Sequence, residues 1–449
     1  MKNDFQFFLT PFEEYMLTDN HPVYPMSCFV QLRFQGRFEV DLLSRSLQKV
    51  LRIHPLLCSV AEKTPSGHFR WKPFEGTIEI HRGTFHAKGI NLEYEPALRI
   101  TLEEQPEQQP EQQSNLWCEV HHSACDAVGM QRFLEDLLLE YSVQKGFLAP
   151  DILLSREPVH PELLQHRGCY GQTWGTFFWN LPRRIGGLER ARTFLFNRII
   201  SLIPQKPDLS KSQPPTGYPT IFSYEFNDEE TKQVRLRVKS EGVTINDFML
   251  YCLFLAMNNW REQEKITDQH GRLRIAVPTN LRTPNDFAMP AANIVSMVFL
   301  DRKPRHIRNT IDFLQGIHHE MCYIKKCNLG LALIYGLTVY RSLFGSYSKM
   351  INRNRCWTTA TVSNLGLLFS QTPCPQRNNH LLFDEELELT EIHSVPPIRP
   401  QTVLGVCASS YANRLIIDMQ YDTELLNKNQ AKKLFDLLID QLLSVSIKM

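Results

Sequence analysis

The spacing of apolar residues alternates along the chain between a period of two and a period near 3.6, which predicts strands interleaved with amphipathic helices. Residues 26–34 alternate as a half-buried strand does, and residues 40–51 form a helical pattern that ends before Pro55. Further strands are predicted at residues 69–71, 78–80, 97–102, 116–120, 220–226, 274–282, 293–298, 360–366 and 415–422, and further helices at residues 130–141, 248–257, 307–324 and 431–443. This order of elements indicates an α/β fold of packed layers.

A proline-rich stretch divides the chain. Prolines recur between residues 144 and 219 and interrupt regular structure there, as an inter-domain connection does. A chain of 449 residues is also long enough for two domains with sizeable cores. We therefore predict an N-terminal lobe at residues 1–165, a connection at residues 166–218 and a C-terminal lobe at residues 219–449.

The predicted connection contains a run of aromatic residues followed by arginines. Trp174, Phe177, Phe178 and Trp179 come first, and the arginines extend to Arg198. Two interpretations stay open: a helix that lies across both lobes with exposed arginines, or an interfacial segment that contacts an anionic membrane surface. The second would suit a lipid-like substrate.

The clearest candidate chemistry lies in a turn between a predicted strand and a predicted helix. This turn carries His121, His122 and Asp126. Side chains at such a corner are held by rigid elements and can still face a cleft. The ordinary pKa of histidine is about 6.5, so we expect a largely neutral imidazole that can act as a general base. Asp126 either orients the His122 ring or pairs with a cation that fixes the turn.

The turn resembles the HHxxxDG motif of the thioester-dependent acyltransferase superfamily. This superfamily includes chloramphenicol acetyltransferase, condensation domains of nonribosomal peptide synthetases, alcohol acetyltransferases and wax ester synthases. Ala127 stands where the motif usually has glycine. Three later segments, at residues 274–282, 293–298 and 360–366, resemble the same superfamily and follow in its order, so the resemblance covers nearly the whole chain.

The resemblance also suggests roles for residues outside the turn. Arg282 is expected to pair with Asp126 and lock the turn, the alternative being an exposed surface arginine. His121 is expected to pack beside His122, and Asn293 to lie on a strand that lines the cleft.

For Ser363 and Asn364 two interpretations stay open. They are either donors to the oxyanion that develops during acyl transfer or ordinary residues of a turn.

For the fold, the resemblance implies two lobes of the chloramphenicol acetyltransferase type that form a pseudo-dimer, with the active site at their interface. For function, it implies an acyltransferase in which His122 is the general base and Asp126 and Arg282 hold the turn. The acyl donor would be acyl-CoA or a phosphopantetheine thioester on a carrier protein, and the acceptor an alcohol or an amine. The thioester is a co-substrate, and we expect no bound cofactor.

Two alternatives accompany this prediction. One keeps the chemistry but forms amides between carrier-bound substrates, as a condensation enzyme does. The other is a degenerate, non-catalytic relative that binds an acyl carrier or another protein, which the departure at Ala127 would explain.

Composition narrows the remaining classes of function. A net charge of +1 gives no reason to expect nucleic acid as a partner. The 11 cysteines form no CxxC pairs and indicate reduced thiols in a cytoplasmic protein. His318, His319, Cys322 and Cys327 match no standard zinc spacing, so no metal site is predicted. Neither a signal peptide nor a transmembrane span is predicted, and we expect a monomer.

Overall fold

The computed structural model describes residues 7–104, 113–154, 156–170, 196–215, 217–351 and 353–444. Its helices are α1 (Pro11–Asp19), α2 (Val40–Leu51), α3 (Ala127–Gln144), α4 (Asp151–Leu154), α5 (Asp228–Ser240), α6 (Ile245–Gln263), α7 (Ile311–Lys326), α8 (Leu331–Phe344) and α9 (Lys428–Leu443). Its strands are β1 (Ser27–Gln35), β2 (Ser59–Lys63), β3 (Phe69–Pro73), β4 (Ile80–Arg82), β5 (Leu98–Glu104), β6 (Gln113–His121), β7 (Ile221–Glu225), β8 (Leu273–Asn280), β9 (Val295–Arg302), β10 (Ala360–Leu367), β11 (Gln376–Arg377), β12 (His380–Leu381), β13 (Glu388–Val395), β14 (Leu404–Tyr411) and β15 (Arg414–Tyr421).

The N-terminal half is organised around a five-stranded sheet in the order β13-β1-β6-β5-β4. Strands β1 and β6 are antiparallel, and their register places Ser27 opposite His121. Apolar side chains of α2 and α3 form one core with this sheet, including Leu43, Leu47 and Phe133. The histidine turn therefore follows directly from the end of a central strand.

The C-terminal half contains a six-stranded sheet in the order β7-β15-β14-β10-β8-β9. The helix predicted at residues 248–257 is α6, and its residues from Phe248 to Met257 are all buried. Its start is a capping box: the Thr244 hydroxyl accepts from the Asp247 N–H, and the Asp247 carboxylate accepts from the Thr244 N–H. The α/β class and the two lobes expected from the sequence are thus confirmed.

One strand crosses between the halves. Strand β13 comes late in the chain but pairs with β1 of the N-terminal sheet, with Val395 opposite Phe29. A third apolar cluster also draws on both halves, with Met16 and Ala124 from one and Ile294 and Leu331 from the other. The seam between the lobes is therefore a packed interface, while the boundaries at residues 165 and 219 stay predictions.

One predicted strand starts later than expected, and one predicted segment lies mostly outside the described residues. The strand expected from residue 293 begins two residues later, at Val295, so Asn293 precedes β9. Most of the segment from Trp174 to Arg198 lies outside the described residues.

No single helix in the described ranges is long and apolar enough to cross a membrane. The helices α7 and α8 form a bent pair that would meet the criterion if taken together, by length and composition alone.

Candidate active site

The backbone of the histidine turn is fixed on both sides of His122. Its N–H donates to the Met26 carbonyl at 2.7 Å, and its own carbonyl accepts from the Asn293 side-chain amide at 2.5 Å. Met26 belongs to the N-terminal half and Asn293 to the C-terminal half. The turn therefore lies at the seam between the lobes, and Asn293 supports the backbone of His122 from across it.

One nitrogen of the His122 ring is committed to the turn itself. Nδ1 lies 3.0 Å from the Cys125 carbonyl, which can only accept, so Nδ1 carries a proton and donates it. The Cys28 thiol also lies within hydrogen-bonding reach of the ring, so Nε2 is the nitrogen that faces it. Both histidines are buried, with 8% of the surface of His122 and 0% of that of His121 exposed.

The surroundings of His122 change its basicity. Burial alone lowers the pKa of His122, but the interactions with Cys28, the Asp126 carboxylate and the Cys125 carbonyl outweigh burial and raise the pKa to about 9. The expectation of an ordinary histidine pKa is therefore wrong.

His121 differs from His122 in the direction of its pKa shift and in its hydrogen-bond partners. Burial, assisted by the neighbouring His122, lowers the pKa of His121 to about 3, so its ring is neutral in the folded protein. Its Nδ1 accepts from the Ser123 N–H at 3.2 Å, which leaves the proton on Nε2. Within the described residues, this Nε2 has no hydrogen-bond partner.

Asp126 fixes the turn and does not touch the imidazole. Its Oδ2 accepts from the Arg282 guanidinium at 2.7 Å and from the Ile294 N–H at 2.7 Å. Its Oδ1 accepts from the Gly129 N–H at 2.9 Å, which caps α3. Of the two alternatives for Asp126, the structure shows the cation-paired one, and the predicted partner Arg282 is the cation.

The alanine that departs from the motif causes no backbone strain. Ala127 is the first residue of α3 and is half-buried, and its φ is not positive. A position that requires glycine for its backbone would lie in the left-handed region. Strain therefore gives no reason to regard the turn as degenerate.

Ser363 and Asn364 lie on β10, apart from this hydrogen-bonded group. Asn364 is exposed, and its Oδ1 accepts from the Gly366 N–H at 3.0 Å, beside a register shift between β10 and β14. Ser363 is half-buried opposite Cys407. Among the described residues, neither side chain bonds to His122, Asp126 or Arg282, and an oxyanion role for them stays a prediction.

Sequence reasoning missed Cys28. Cys28 lies within the strand predicted at residues 26–34; it is half-buried near the start of β1, and its thiol contacts the His122 ring. The contact arises because β1 and β6 pair with Ser27 opposite His121. No pattern of neighbouring residues in the sequence predicts this register between β1 and β6.

Comparison with known proteins supports the fold. No family model matches the sequence, and no curated protein matches it. Among solved structures, the first condensation domain of the CDA synthetase superposes with a TM-score of 0.67 at 13% identity, over 98% of this chain and 96% of that one. The TRI3 trichothecene 15-O-acetyltransferase from Fusarium sporotrichioides gives 0.68 at 11% identity, over 98% and 94%. The epimerization domain of tyrocidine synthetase B gives 0.62 at 15% identity, over 98% and 96%.

The fold is therefore that of condensation domains and acetyltransferases, as the sequence resemblance implied. At these identities the likeness concerns the fold alone.

Proposed function

We propose that this protein is an acyltransferase that moves an acyl group from a thioester, on CoA or on a carrier protein, to an alcohol or amine acceptor. The observation that carries the proposal is the placement of His122. Its Nδ1 is tied to the Cys125 carbonyl, the Cys28 thiol lies within hydrogen-bonding reach of the ring, and its backbone is held from both lobes. A ring fixed in this way needs little reorganisation when it takes up a proton.

The proposed reaction is a direct transfer. The acceptor oxygen or nitrogen gives its proton to Nε2 of His122 while it attacks the thioester carbonyl. The new bond to the acyl carbon forms, the carbon–sulfur bond breaks, and the thiolate that leaves takes the proton from Nε2. Asp126 and Arg282 act through the shape of the turn, since neither touches the ring.

Thiol release from a panel of acyl-CoA thioesters, measured with and without alcohols and amines, tests the proposal. We expect acceptor-dependent release in the wild type and a loss of about 10²-fold or more in His122→Ala. His319→Ala is a matched control, because His319 is exposed on α7. Equal rates in the wild type and His122→Ala would remove His122 from the reaction.

A carrier-dependent condensation enzyme is the second candidate, because condensation domains share the fold. The same assay separates the two when phosphopantetheine thioesters on a carrier protein replace acyl-CoA. Turnover with the carrier-bound donor alone favours the condensation reaction. Absence of turnover with either donor favours a binding protein.

A further inference from the structure

Residues 291–294 of the C-terminal half lie against the histidine turn, and we call them the strap. Three of the four strap residues bond to the turn directly. The contacts are the Ala292 carbonyl with the Asp126 N–H at 3.2 Å, the Asn293 side-chain amide with the His122 carbonyl at 2.5 Å, and the Ile294 N–H with the Asp126 carboxylate at 2.7 Å. A displacement of the strap would therefore displace the turn.

The fourth strap residue, Ala291, is held by a histidine outside the turn. Its N–H donates to Nδ1 of His54 at 2.9 Å, and both residues are fully buried. His54 lies just after α2, in the N-terminal half, so this bond crosses the seam as the three direct contacts do. A buried backbone N–H is nearly always paired, and His54 is the partner that the structure gives to this one.

The contact with Ala291 fixes the tautomer of the His54 ring. Nδ1 accepts from a backbone N–H, so the proton of the neutral ring is on Nε2. Nε2 lies 3.0 Å from Oδ2 of Asp136 on α3, which accepts that proton. Asp136 in turn accepts from Arg132 at 3.0 Å and from Arg156 at 2.9 Å. Both nitrogens of the ring therefore have a defined partner, and α3 sets the orientation of the ring.

The surroundings of His54 favour the neutral ring that this contact requires. Burial lowers the pKa of His54, and although Asp136 opposes this effect, Arg132 and Arg156 add to it. The Phe133 ring packs edge-on against the imidazole at 5.6 Å. A second proton would lie on Nδ1 and face the backbone N–H of the strap, so protonation would break the contact.

An apolar side chain could fill the same space, but it would leave the Ala291 N–H buried without an acceptor. We propose that His54 positions the strap, and through the strap the backbone of His122 and the carboxylate of Asp126. His54 is a positioning residue, because it acts through the strap and not on the reacting atoms. Its effect on rate rests on the proposed acyl transfer, whereas its hold on Ala291 can be measured without any substrate.

Two substitutions separate the two bonds of the ring. His54→Asn places an amide oxygen at about the position of Nδ1, so it keeps an acceptor for Ala291 but no longer reaches Asp136. His54→Gln reaches Asp136 with its amide but leaves Ala291 without an acceptor. If His54 only filled the core, the two variants would behave alike, or His54→Gln, the closer in size, would be the milder one.

Amide hydrogen exchange at Ala291, measured on the full chain without substrate, is the first readout. We expect exchange about tenfold faster in His54→Gln and close to the wild-type rate in His54→Asn. In the thiol-release assay, kcat should fall about tenfold in His54→Gln with KM little changed, and His54→Asn should recover most of that loss. His319→Gln, at an exposed position of α7, is the matched control and should alter neither readout.

Equal exchange at Ala291 in the two His54 variants, or an equal loss of kcat, would assign His54 to packing alone and overturn the proposal. If neither variant folds, the wild type decides: the Ala291 amide should be protected, and ¹⁵N NMR of labelled histidine should show His54 neutral with its proton on Nε2. An unprotected amide or a proton on Nδ1 would overturn the proposal. No thiol release in the wild type would overturn the acyl transfer, while exchange at Ala291 would still decide whether His54 holds the strap.

Discussion

Arg282 donates to the Asp126 carboxylate at 2.7 Å across the seam between the lobes, with 5% and 1% of the two side chains exposed. The second guanidinium nitrogen of Arg282 donates to the Ala292 carbonyl at 3.0 Å. Asp126 also accepts from two backbone N–H groups, so both of its oxygens are used. A buried carboxylate is tolerated when all of its hydrogen-bond partners are present. Removing one partner leaves an uncompensated buried charge, which destabilises the fold.

We therefore expect Arg282→Met to destabilise the protein strongly, because it leaves the Asp126 charge buried and uncompensated. The free energy of unfolding should fall by about 3 kcal/mol, and acyl transfer should fall with it as the turn loses its shape. Asp126→Ala should act in the same direction. Chemical denaturation and the thiol-release assay measure the two effects.

The matched control for this prediction is Asp436→Ala, which removes an exposed ion pair with Lys432 on α9. Exposed pairs of this kind contribute well under about 1 kcal/mol. If Arg282→Met were as stable as Asp436→Ala, the pair would not hold the turn.

The contact between Cys28 and His122 predicts a pH effect. The interaction with Cys28 helps to raise the pKa of His122 to about 9, against the lowering effect of burial. A general base works when it is deprotonated, so the rising limb of kcat/KM should lie on the alkaline side in the wild type. Cys28→Ala removes this interaction, burial then has more weight, and the limb should move to lower pH by about one unit or more.

Cys28→Ser is the informative companion variant, since a hydroxyl keeps the size and the hydrogen-bonding capacity but does not ionise in this range. It should follow Cys28→Ala in the pH profile. A profile that stays in place in both variants would show that Cys28 does not govern the proton on His122.

His393 should give the folded protein a separate pH dependence. It lies on β13, with Nδ1 2.9 Å from Asp418 of β15 and Nε2 3.0 Å from Glu391. Burial lowers the pKa of His393 and so does nearby Arg33, but Asp418 and Glu391 outweigh them and raise it to about 9. A raised pKa stabilises the fold fully below the unfolded value near 6.5, and this contribution is lost as the pH rises through about 9.

Denaturation at pH 6 and at pH 9.5 measures this loss, which we expect to be on the order of 2 kcal/mol. His393→Gln should flatten the dependence, whereas the exposed control His319→Gln should leave it intact. A decline with pH that is equally steep in His393→Gln would place its origin elsewhere.

The sequence predicts what depends on neighbouring residues. The turn from His121 to Asp126 and the helix α6 both follow from short-range spacing, and the structure contains them. The Asp126–Arg282 pair was also anticipated, but only because a resemblance linked two distant segments.

What the sequence does not predict depends on long-range pairing. Strand β13 completes the N-terminal sheet because it fits against β1, and nothing within residues 388–395 indicates that partner. The contact of Cys28 with His122 has the same origin. Helix α5 was missed for a different reason: only Thr231, Val234 and Val238 are buried on it, too narrow a stripe for a clear helical period.

Gly129, in the first turn of α3, packs closely against the backbone of the other lobe. A Cβ added to Gly129 would lie 2.8 Å from the Ala292 nitrogen and 2.9 Å from Cys125 Sγ, and the Ala292 backbone cannot move freely because its carbonyl accepts from Arg282. We expect Gly129→Ala to lose about 1–3 kcal/mol of stability and to reduce acyl transfer, since it presses on the same contacts that hold the histidine turn. Gly316→Ala on α7 meets no atom within 4 Å and should instead gain about 0.5–1 kcal/mol. Thermal unfolding of the two variants compares them directly, and a stabilised Gly129→Ala would show that the two lobes are not packed as closely at this seam as the structure places them.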